Sequence, residues 1–421
     1  MNHHGINGKR NGESAFRLFR SLFNPLNGRR IACKKEWDMK ILPNPKYKLI
    51  ITLFLVFLLY SCSSENPTAP VLNDLSNIPT LMKVYNVPGI SIAVIKDFQI
   101  DTLIVFGVKD RNTNEPVTKQ TLFAAASISK PVSAMATLKF VQEGSLSLDE
   151  NVNNKLSSWK VPESNFTITE KVTLRRLLSH TAGVNWLYSP GYQMNSQIPT
   201  LVQILNGEPP ANTARLSIVR IPGSEFHYTN LGFCVIQQVL MDITQQSFPE
   251  LMQQTVLIPL GMENSLFEQP LPAVLHDKAS SGHDLNGEVL PGKFYVYLEL
   301  AAAGLWTTAE DLAKFVIEIQ LSLKGQSNRI ISQQMINQMI TPISILDDLT
   351  SYGLGIGIHK VKNEIYFAHG AGFRGFKGRI FSHIETGVGV VILINKEETE
   401  KFRDEIIKMI AQINNWPGFS N

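Results

Sequence analysis

The positions of the β-strand patterns along the chain restrict its fold more than any other feature. Two strand patterns, "GISIAVIKD" and "DTLIVFGVKD", lie before residue 111, and four more lie between residues 352 and 395. From Ser127 to about Phe315 the patterns are mainly helical. Because closely spaced strands form antiparallel sheets, the first and last strands must pair across the helical insert. The predicted fold class is α+β: an antiparallel sheet flanked by helices, with a large helical insert and a cleft as the expected ligand site.

A short apolar run near the N-terminus predicts export. Lys46 and Lys48 precede an apolar run from Leu49 to Tyr60, and small residues then lead to Cys62. The run is too short to span a bilayer comfortably, and it is typical of a signal-peptide core. The sequence "LYSC" resembles a bacterial lipobox, so we expect Cys62 to become the lipidated first residue of the mature protein. A short membrane anchor or a buried strand is the alternative interpretation.

The same region divides the chain into four parts. Residues 1–38 are either a mis-assigned start or a disposable extension, because Met39 opens a normal basic signal peptide at 39–61. A polar, proline-bearing tether follows at 62–72, and one folded domain is predicted at 73–417. We expect the protein to be lipid-anchored to a bacterial membrane and to face the periplasm or the cell surface.

The distribution of charge argues against nucleic acid as a partner. Residues 1–61 hold 11 of the 39 Lys and Arg residues but only 3 of the 36 Asp and Glu residues. The rest of the chain therefore has more acidic than basic side chains. Such a domain lacks the basic surface that nucleic acid binding requires.

The segment "FAAASISKP" places a serine and a lysine at a helix start. Apolar positions after Pro131 follow helical spacing, and proline is tolerated only in a first turn. The spacing of Ser127 and Lys130 then puts the amine beside the hydroxyl group, where a desolvated lysine can activate a serine. Ser157 and Lys160 in "SSWK" have the same spacing, but they lie in a polar, loop-like stretch and are interpreted as non-catalytic.

Two further motifs can contribute to a catalytic site. "HYTN" contains the only Tyr-x-Asn in the chain, Tyr228 and Asn230, after a Pro-Gly turn and before an apolar helix. A phenol can pass protons and an amide can orient a carbonyl group. Taken alone, the pair has a simpler interpretation, in which Tyr228 is a packed aromatic residue and Asn230 is a helix cap. "FAHGAGFRGF" follows a strand, and its glycines allow close backbone approach to a ligand.

In this order, S-x-x-K, Y-x-N and a [K/H]-x-G strand resemble the serine β-lactamase and penicillin-binding-protein superfamily. The narrower resemblance is to its class C-like branch, which includes class C β-lactamases, DD-peptidases, D-aminopeptidases and similar esterases. Stretches such as "LLSHTAGV" and "AAGLWTTAEDLAKF" extend the resemblance over roughly residues 73–415. His180 in the first of these stretches is interpreted as structural.

The resemblance implies a role for each motif residue. Ser127 would be the nucleophile that accepts the acyl group, and Lys130 would activate it. Tyr228 would carry protons to the leaving group, while Asn230 would hold the substrate carbonyl group. The resemblance implies no metal and no organic cofactor.

The strand motif would complete the substrate-binding site. The backbone N–H groups of Ser127 and Gly372 would form the oxyanion hole, with Gly370 beside them in the strand. His369 would stand where the family usually has a lysine. Arg374, shortly after, could restore the positive charge that the histidine does not supply.

The chain departs from the family pattern at two positions of this motif. Ala371 replaces a glycine, and its methyl group is expected to crowd the strand edge. His369 replaces a permanent cation with a group that is mostly neutral above pH ~6.5. This replacement predicts a weaker requirement for an anionic substrate, with a pH dependence near the histidine pKa.

The sequence therefore predicts a serine hydrolase that works through an acyl-enzyme on Ser127. Its substrate would be a small-molecule or peptide ester or amide, in the manner of an esterase or a D-amino-acid peptidase. A β-lactamase or a peptidoglycan DD-peptidase is the first alternative. A catalytically silent binding lipoprotein is the second, because one fold can host many roles.

Overall fold

The computed structural model describes residues 74–186 and 189–419. The predicted extension, signal peptide, lipidation site Cys62 and tether up to residue 72 lie outside the described residues. Within the described ranges, no helix combines the length and the apolar character needed to cross a membrane.

Nine of the thirteen strands found in the described residues form one antiparallel sheet, in the order β3-β2-β1-β13-β12-β11-β10-β9-β8. The strands are β1 Gly89–Lys96, β2 Gln99–Asp110, β3 Glu115–Pro116, β4 Phe123–Ala124, β5 Tyr192–Gln193, β6 Tyr295–Val296, β7 Trp306–Thr307, β8 Ser344–Ile345, β9 Thr350–Tyr352, β10 Gly357–Val361, β11 Glu364–Phe373, β12 Phe376–His383 and β13 Gly389–Ile394. Strand β1 pairs with β13, from Ile90 opposite Ile394 to Ile95 opposite Gly389. The predicted pairing of the first and last strands across the insert is confirmed.

The helices lie mainly between β3 and β8, as predicted. They are α1 Ile78–Val84, α2 Ser129–Gln142, α3 Leu174–Leu178, α4 Leu201–Asn206, α5 Asn230–Thr244, α6 Phe248–Met252, α7 Leu300–Ala303, α8 Ala309–Leu323, α9 Gln333–Ile340 and α10 Glu400–Ile413. Short 3-10 helices occur at Leu75–Asn77, Ala126–Ile128, Val152–Asn154, Asn165–Thr167 and Ala273–Leu275, and a π-helical turn lies at Gln253–Leu257. The insert also contains the short strand pairs β4–β7 and β5–β6 and long irregular segments, which the sequence patterns did not predict.

Each face of the sheet covers a separate apolar core, because successive side chains of a strand point to opposite faces. On β1, Ile90 and Ile92 pack with α1 and with Phe402 and Ile406 of α10. Ala93 and Ile95 of the same strand belong to the larger core shared with the helical insert. The sheet is therefore covered by helices on both faces, and the insert lies on one of them.

Helix α2 lies inside the larger core. All residues from Ser129 to Leu138 are buried, including Lys130. The sequence predicted a helix with one apolar face, but the small residues Ser133, Ala134 and Thr137 let neighbours approach on the other sides as well. Gly144, with φ +79°, follows the helix, as its position in the sequence predicted.

Candidate active site

Ser127 lies in a tight turn that leads into α2. The residue before it, Ala126, is fully buried and has a left-handed backbone with φ +45°, which is unfavourable for a residue with a Cβ atom. The Ser129 hydroxyl group donates to the Ala126 carbonyl oxygen at 2.7 Å and accepts from the Leu305 N–H at 3.0 Å. Ser129 therefore fixes the strained turn to the segment that leads into β7, and the sequence analysis assigned it no role.

The Lys130 amine connects three elements at the centre of the site. Its Nζ donates to Ser127 Oγ at 3.0 Å, to Asn230 Oδ1 at 2.8 Å and to the Ala302 carbonyl oxygen at 3.0 Å. The Lys130 side chain is fully buried. Three oxygen atoms, from α5, α7 and the serine itself, therefore surround the amine and fix it beside the Ser127 hydroxyl group.

Tyr228 and Asn230 converge on the same amine. Lys130 Nζ lies 4.9 Å from the centre of the Tyr228 ring, and the Asn230 amide donates to Ser189 Oγ at 3.3 Å. The His180 ring packs against Tyr228 with 4.3 Å between ring centroids, and its Nδ1 accepts from the Thr229 N–H at 3.4 Å. The structure therefore brings the first two motifs together, with Asn230 oriented towards Lys130.

The third motif lies on an unpaired edge of β11. Pairing with β10 stops at Gly357 opposite Ala368, so residues 369–373 have a neighbour only on the β12 side. A two-residue turn closes the hairpin at Phe373 opposite Phe376, and the alternation of antiparallel pairing then directs the Gly372 N–H away from β12. The Ser127 turn packs along β11. The Gly372 N–H therefore points off the strand edge, on a strand against which the Ser127 turn packs.

Both ring nitrogens of His369 have hydrogen-bond partners within the protein. Its Nδ1 lies 2.9 Å from the Gly370 carbonyl oxygen, which can only accept, and its Nε2 lies 3.0 Å from Tyr352 Oη. Burial, together with the charge of Lys130, lowers the pKa of His369 to about 3. A pKa this far below the ordinary histidine value argues against the expected pH dependence near pH 6.5.

The surroundings of Ala371 and Arg374 bear on two other expectations about this motif. The Ala371 side chain is buried in the core and packs over Gly378, so its methyl group does not crowd the strand edge. The Arg374 guanidinium group lies 5.2 Å from the Tyr295 ring and 3.9 Å from the Glu397 carboxylate. The charge of Arg374 is therefore already shared with an acidic partner.

A buried carboxyl group lies close to the site, and the sequence analysis missed it. Glu299 directly precedes α7, is 1% exposed and has no hydrogen bond of good geometry to either carboxyl oxygen among the described residues. Burial raises the pKa of Glu299, and Ser189 and the charge of Lys130 offset this effect only in part. No local sequence pattern marks this residue, because its contacts come from distant segments.

The remaining candidates have structural surroundings. Lys160 Nζ donates to the Asn153 and Leu156 carbonyl oxygens, and the Ser157 N–H donates to Asp242, as expected for a loop. His283, a histidine of the stretch "SGHDLNGE" that could suggest a metal site, has its Nδ1 2.7 Å from the Asn395 carbonyl oxygen. The described residues contain no group of three or more His, Cys, Asp or Glu side chains that could hold a metal ion.

Comparison with known proteins shows which family and which relatives this chain resembles. The family model named Beta-lactamase matches residues 76–415. Protein flp of Staphylococcus aureus (strain N315) is 23% identical over 317 residues, which cover 74% of this chain and 60% of that protein. Penicillin-binding protein 4* of Bacillus subtilis (strain 168) is 23% identical over 331 residues, covering 73% of this chain and 68% of the relative. The chain thus spans about 60% of the length of the flp proteins that it matches.

Solved structures share the fold. The octameric penicillin-binding protein homologue from Pyrococcus abyssi superimposes with a TM-score of 0.63 at 26% identity, covering 80% of this chain and 75% of that one. The D-alanine carboxypeptidase AmpC from Burkholderia cenocepacia has a TM-score of 0.64 at 20% identity, covering 80% of this chain and 96% of its own. The second likeness concerns the fold alone. The predicted α+β class is confirmed.

Proposed function

Because the chain belongs to the beta-lactamase family, whose members are mostly serine hydrolases, we propose that it is a class C-like serine hydrolase that forms an acyl-enzyme on Ser127. One observation supports this proposal above all others: the buried Lys130 amine lies 3.0 Å from Ser127 Oγ, in a turn held under backbone strain. A protein that only binds a ligand does not need a buried amine beside a serine that follows a strained residue.

The proposed reaction begins with attack of Ser127 Oγ on the carbonyl carbon of an ester or amide. The hydroxyl proton passes to the Lys130 amine in its uncharged form, and negative charge develops on the carbonyl oxygen. The backbone N–H groups of Ser127 and Gly372 stabilise this oxyanion. The tetrahedral intermediate then collapses, and the leaving group takes a proton supplied through Tyr228.

Deacylation reverses these steps with water as the nucleophile. The Lys130 and Tyr228 side chains take up the proton of a water molecule, which attacks the acyl carbon. The Ser127 oxygen leaves and is reprotonated. The net reaction is hydrolysis, and it requires only groups of this chain and water.

We propose uncharged esters or amides as the substrate class. His369 offers no cation on β11, because both of its nitrogens have partners within the protein. Arg374 is close to Glu397, which reduces its availability for a substrate carboxylate. A site with this charge distribution has little to offset the desolvation of an anionic substrate group.

A β-lactamase or DD-peptidase is the second candidate. The names of the relatives favour it, as does Arg374, whose side chain is 51% exposed at the end of β11. In this case an anionic substrate would recruit Arg374 away from Glu397. The two candidate functions predict reaction with different probes, uncharged esters for the first and penicillins for the second.

Labelling of the protein with three probes tests the proposal. A fluorophosphonate, a fluorescent penicillin and p-nitrophenyl esters are compared on the wild type, Ser127→Ala and the matched variant Ser157→Ala. We expect labelling and ester turnover that disappear in Ser127→Ala and persist in Ser157→Ala. Penicillin labelling together with slow ester turnover would favour the second candidate. A silent binding protein is the conclusion if no probe gives a Ser127-dependent signal.

We also propose that the protein is exported and anchored to a bacterial membrane by a lipid on Cys62. The basis is the sequence alone, an apolar run that ends in "LYSC". Radiolabelled palmitate should be incorporated into the wild type and into Cys33→Ser, but not into Cys62→Ala. Equal labelling of the Cys62→Ala protein would contradict the proposal.

A further inference from the structure

Tyr352, which no motif of the sequence includes, contacts His369 from an adjacent part of the sheet. The residue ends β9 and lies opposite Gly357 of β10, while Gly357 lies opposite Ala368 of β11. Tyr352 is 5% exposed, and its ring packs against His180 at 5.1 Å and Phe226 at 5.6 Å between centroids. The phenol is therefore held in place on both sides, and its hydroxyl group reaches His369 Nε2 at 3.0 Å.

The direction of this hydrogen bond follows from the second nitrogen of the ring. The Gly370 carbonyl oxygen can only accept, so His369 Nδ1 carries the proton and donates. In the neutral ring Nε2 is then the acceptor, and the Tyr352 hydroxyl group is the donor. Burial raises the pKa of Tyr352, with a smaller contribution from Tyr228, so the phenol keeps its proton. The pair leaves His369 without an N–H group for a substrate.

We propose that Tyr352 is a specificity-determining positioning residue: by donating to His369 Nε2 it fixes the imidazole in one neutral tautomer and thereby disfavours substrates that carry a carboxylate at this end of the site. The proposal rests on the proposed function for its substrate consequence, but not for the state of His369. The Tyr352 hydroxyl group acts through His369 and takes no part in bond cleavage.

The charged and titratable groups around His369 are consistent with this role. Lys130, Arg379 and His359 each oppose a positive charge on the ring, and the Tyr228 ring lies 6.5 Å from it between centroids. Arg379 is paired with Asp404 of α10. Without the Tyr352 hydroxyl group, Nε2 loses its partner, and a substrate carboxylate becomes the natural counter-ion for a protonated ring.

The test compares Tyr352→Phe with Tyr366→Phe, a matched loss of a buried phenol that donates to the Pro417 carbonyl oxygen on the other face of the sheet. The ratio of kcat/KM for a p-nitrophenyl ester with a free carboxylate to that for its methyl-capped analogue is measured from pH 5 to 8. In Tyr352→Phe we expect this ratio to rise about tenfold near pH 5–6, through a lower KM for the anionic ester. The ratio should not change in Tyr366→Phe, and the gain should disappear in Tyr352→Phe/His369→Asn. An unchanged ratio in Tyr352→Phe with retained turnover would overturn the proposal.

Nitrogen NMR of histidine-labelled protein tests the same idea without any turnover, with His369→Asn to assign the signal. In the wild type at pH 6 we expect a neutral His369 ring with a protonated Nδ1 and a hydrogen-bonded Nε2, and in Tyr352→Phe a ring that titrates at a higher pH. A wild-type ring protonated on Nε2 would contradict the proposal, even if Tyr352→Phe failed to fold. If no form of the protein hydrolyses any ester, the proposed function fails, and the NMR result alone decides the role of Tyr352.

Discussion

Two serine–lysine pairs with the same spacing lie in different surroundings in this molecule. The Lys130 amine is fully buried and donates to Ser127, Asn230 and the Ala302 carbonyl oxygen. Lys160 donates to carbonyl oxygens of its own loop, and Ser157 is bound through its backbone. The spacing sets which atoms can meet, and the surroundings set what the contact can do: the Lys130 amine is enclosed beside the Ser127 hydroxyl group, whereas the Lys160 amine is bound to its own loop.

Helix α5 contacts both serine–lysine pairs, one near each of its ends. Asn230, its first residue, accepts from Lys130, while Asp242, near its end, accepts from the Ser157 N–H at 2.6 Å and from Ser158. At the start of the helix, Asn230 helps to hold the Lys130 amine. Near its end, Asp242 binds the loop that contains Ser157. Variants at the two ends can therefore separate activity from stability.

The largest difference between the two pairs should come from their lysines. Lys130→Met removes the amine that we propose activates Ser127, and we expect ester turnover to fall by about 10²- to 10⁴-fold, the usual contribution of a general base. Lys160→Met should retain wild-type turnover. Both variants are measured by steady-state kinetics, with circular dichroism to establish that they are folded. Equal losses in the two variants would show that the buried contact has no catalytic meaning.

A smaller effect is expected at Asn230. Asn230→Ala removes the Oδ1 that accepts from the Lys130 amine at 2.8 Å. A buried donor that loses its partner costs about 1–3 kcal/mol, which corresponds to a roughly five- to hundredfold loss of kcat/KM. Fluorophosphonate labelling rates give the same comparison without an ester. Rates within twofold of the wild type would rule out a role for Asn230 in placing the amine.

At the other end of α5 the effect should appear in stability alone. Burial raises the pKa of Asp242, but hydrogen bonds from Ser158, Ser157 and Gln238 outweigh it, so the net pKa is lowered. This carboxylate therefore stabilises the protein above its ordinary value of 3.8 and loses that contribution as the pH falls. Asp242→Asn should cost about 1–2 kcal/mol in chemical denaturation at pH 7, with turnover unchanged. A loss of activity larger than that of Asn230→Ala would reverse the assignment of the two ends.

The sequence patterns predicted the parts of the molecule that follow from the type and order of the helices and strands. The pairing of β1 with β13 followed from the two groups of strands, and the Ser127 turn followed from Pro131 and the helical spacing after it. Tyr352 and Glu299 were missed because their partners are distant along the chain, and neither has a spacing that marks it. The state of His369 was also missed, because its pKa depends on burial and on Lys130 rather than on the residue type.

A stability effect at Glu299, with no change in turnover to follow, sharpens the contrast in burial between the two pairs. Glu299 is buried near Lys130, whereas the described surroundings of Lys160 contain carbonyl oxygens of an open loop. Burial raises the pKa of Glu299 from its ordinary value of 4.5, so the folded protein holds a proton that the unfolded chain releases. Stability should therefore fall as the pH rises above 4.5 towards the folded pKa, by up to about 1.4 kcal/mol for each pH unit.

Glu299→Gln removes this slope, because the amide does not titrate. We expect the stability of the wild type relative to the variant to decrease between pH 5 and 7 in denaturant unfolding. Glu263→Gln, a change at an exposed carboxylate, should leave the slope as it is. A wild type that gains stability over Glu299→Gln as the pH rises would mean that Glu299 is ionised and acts as the counter-ion of Lys130. The Lys130 amine would then be held in its charged form, and the base that activates Ser127 would have to be Tyr228.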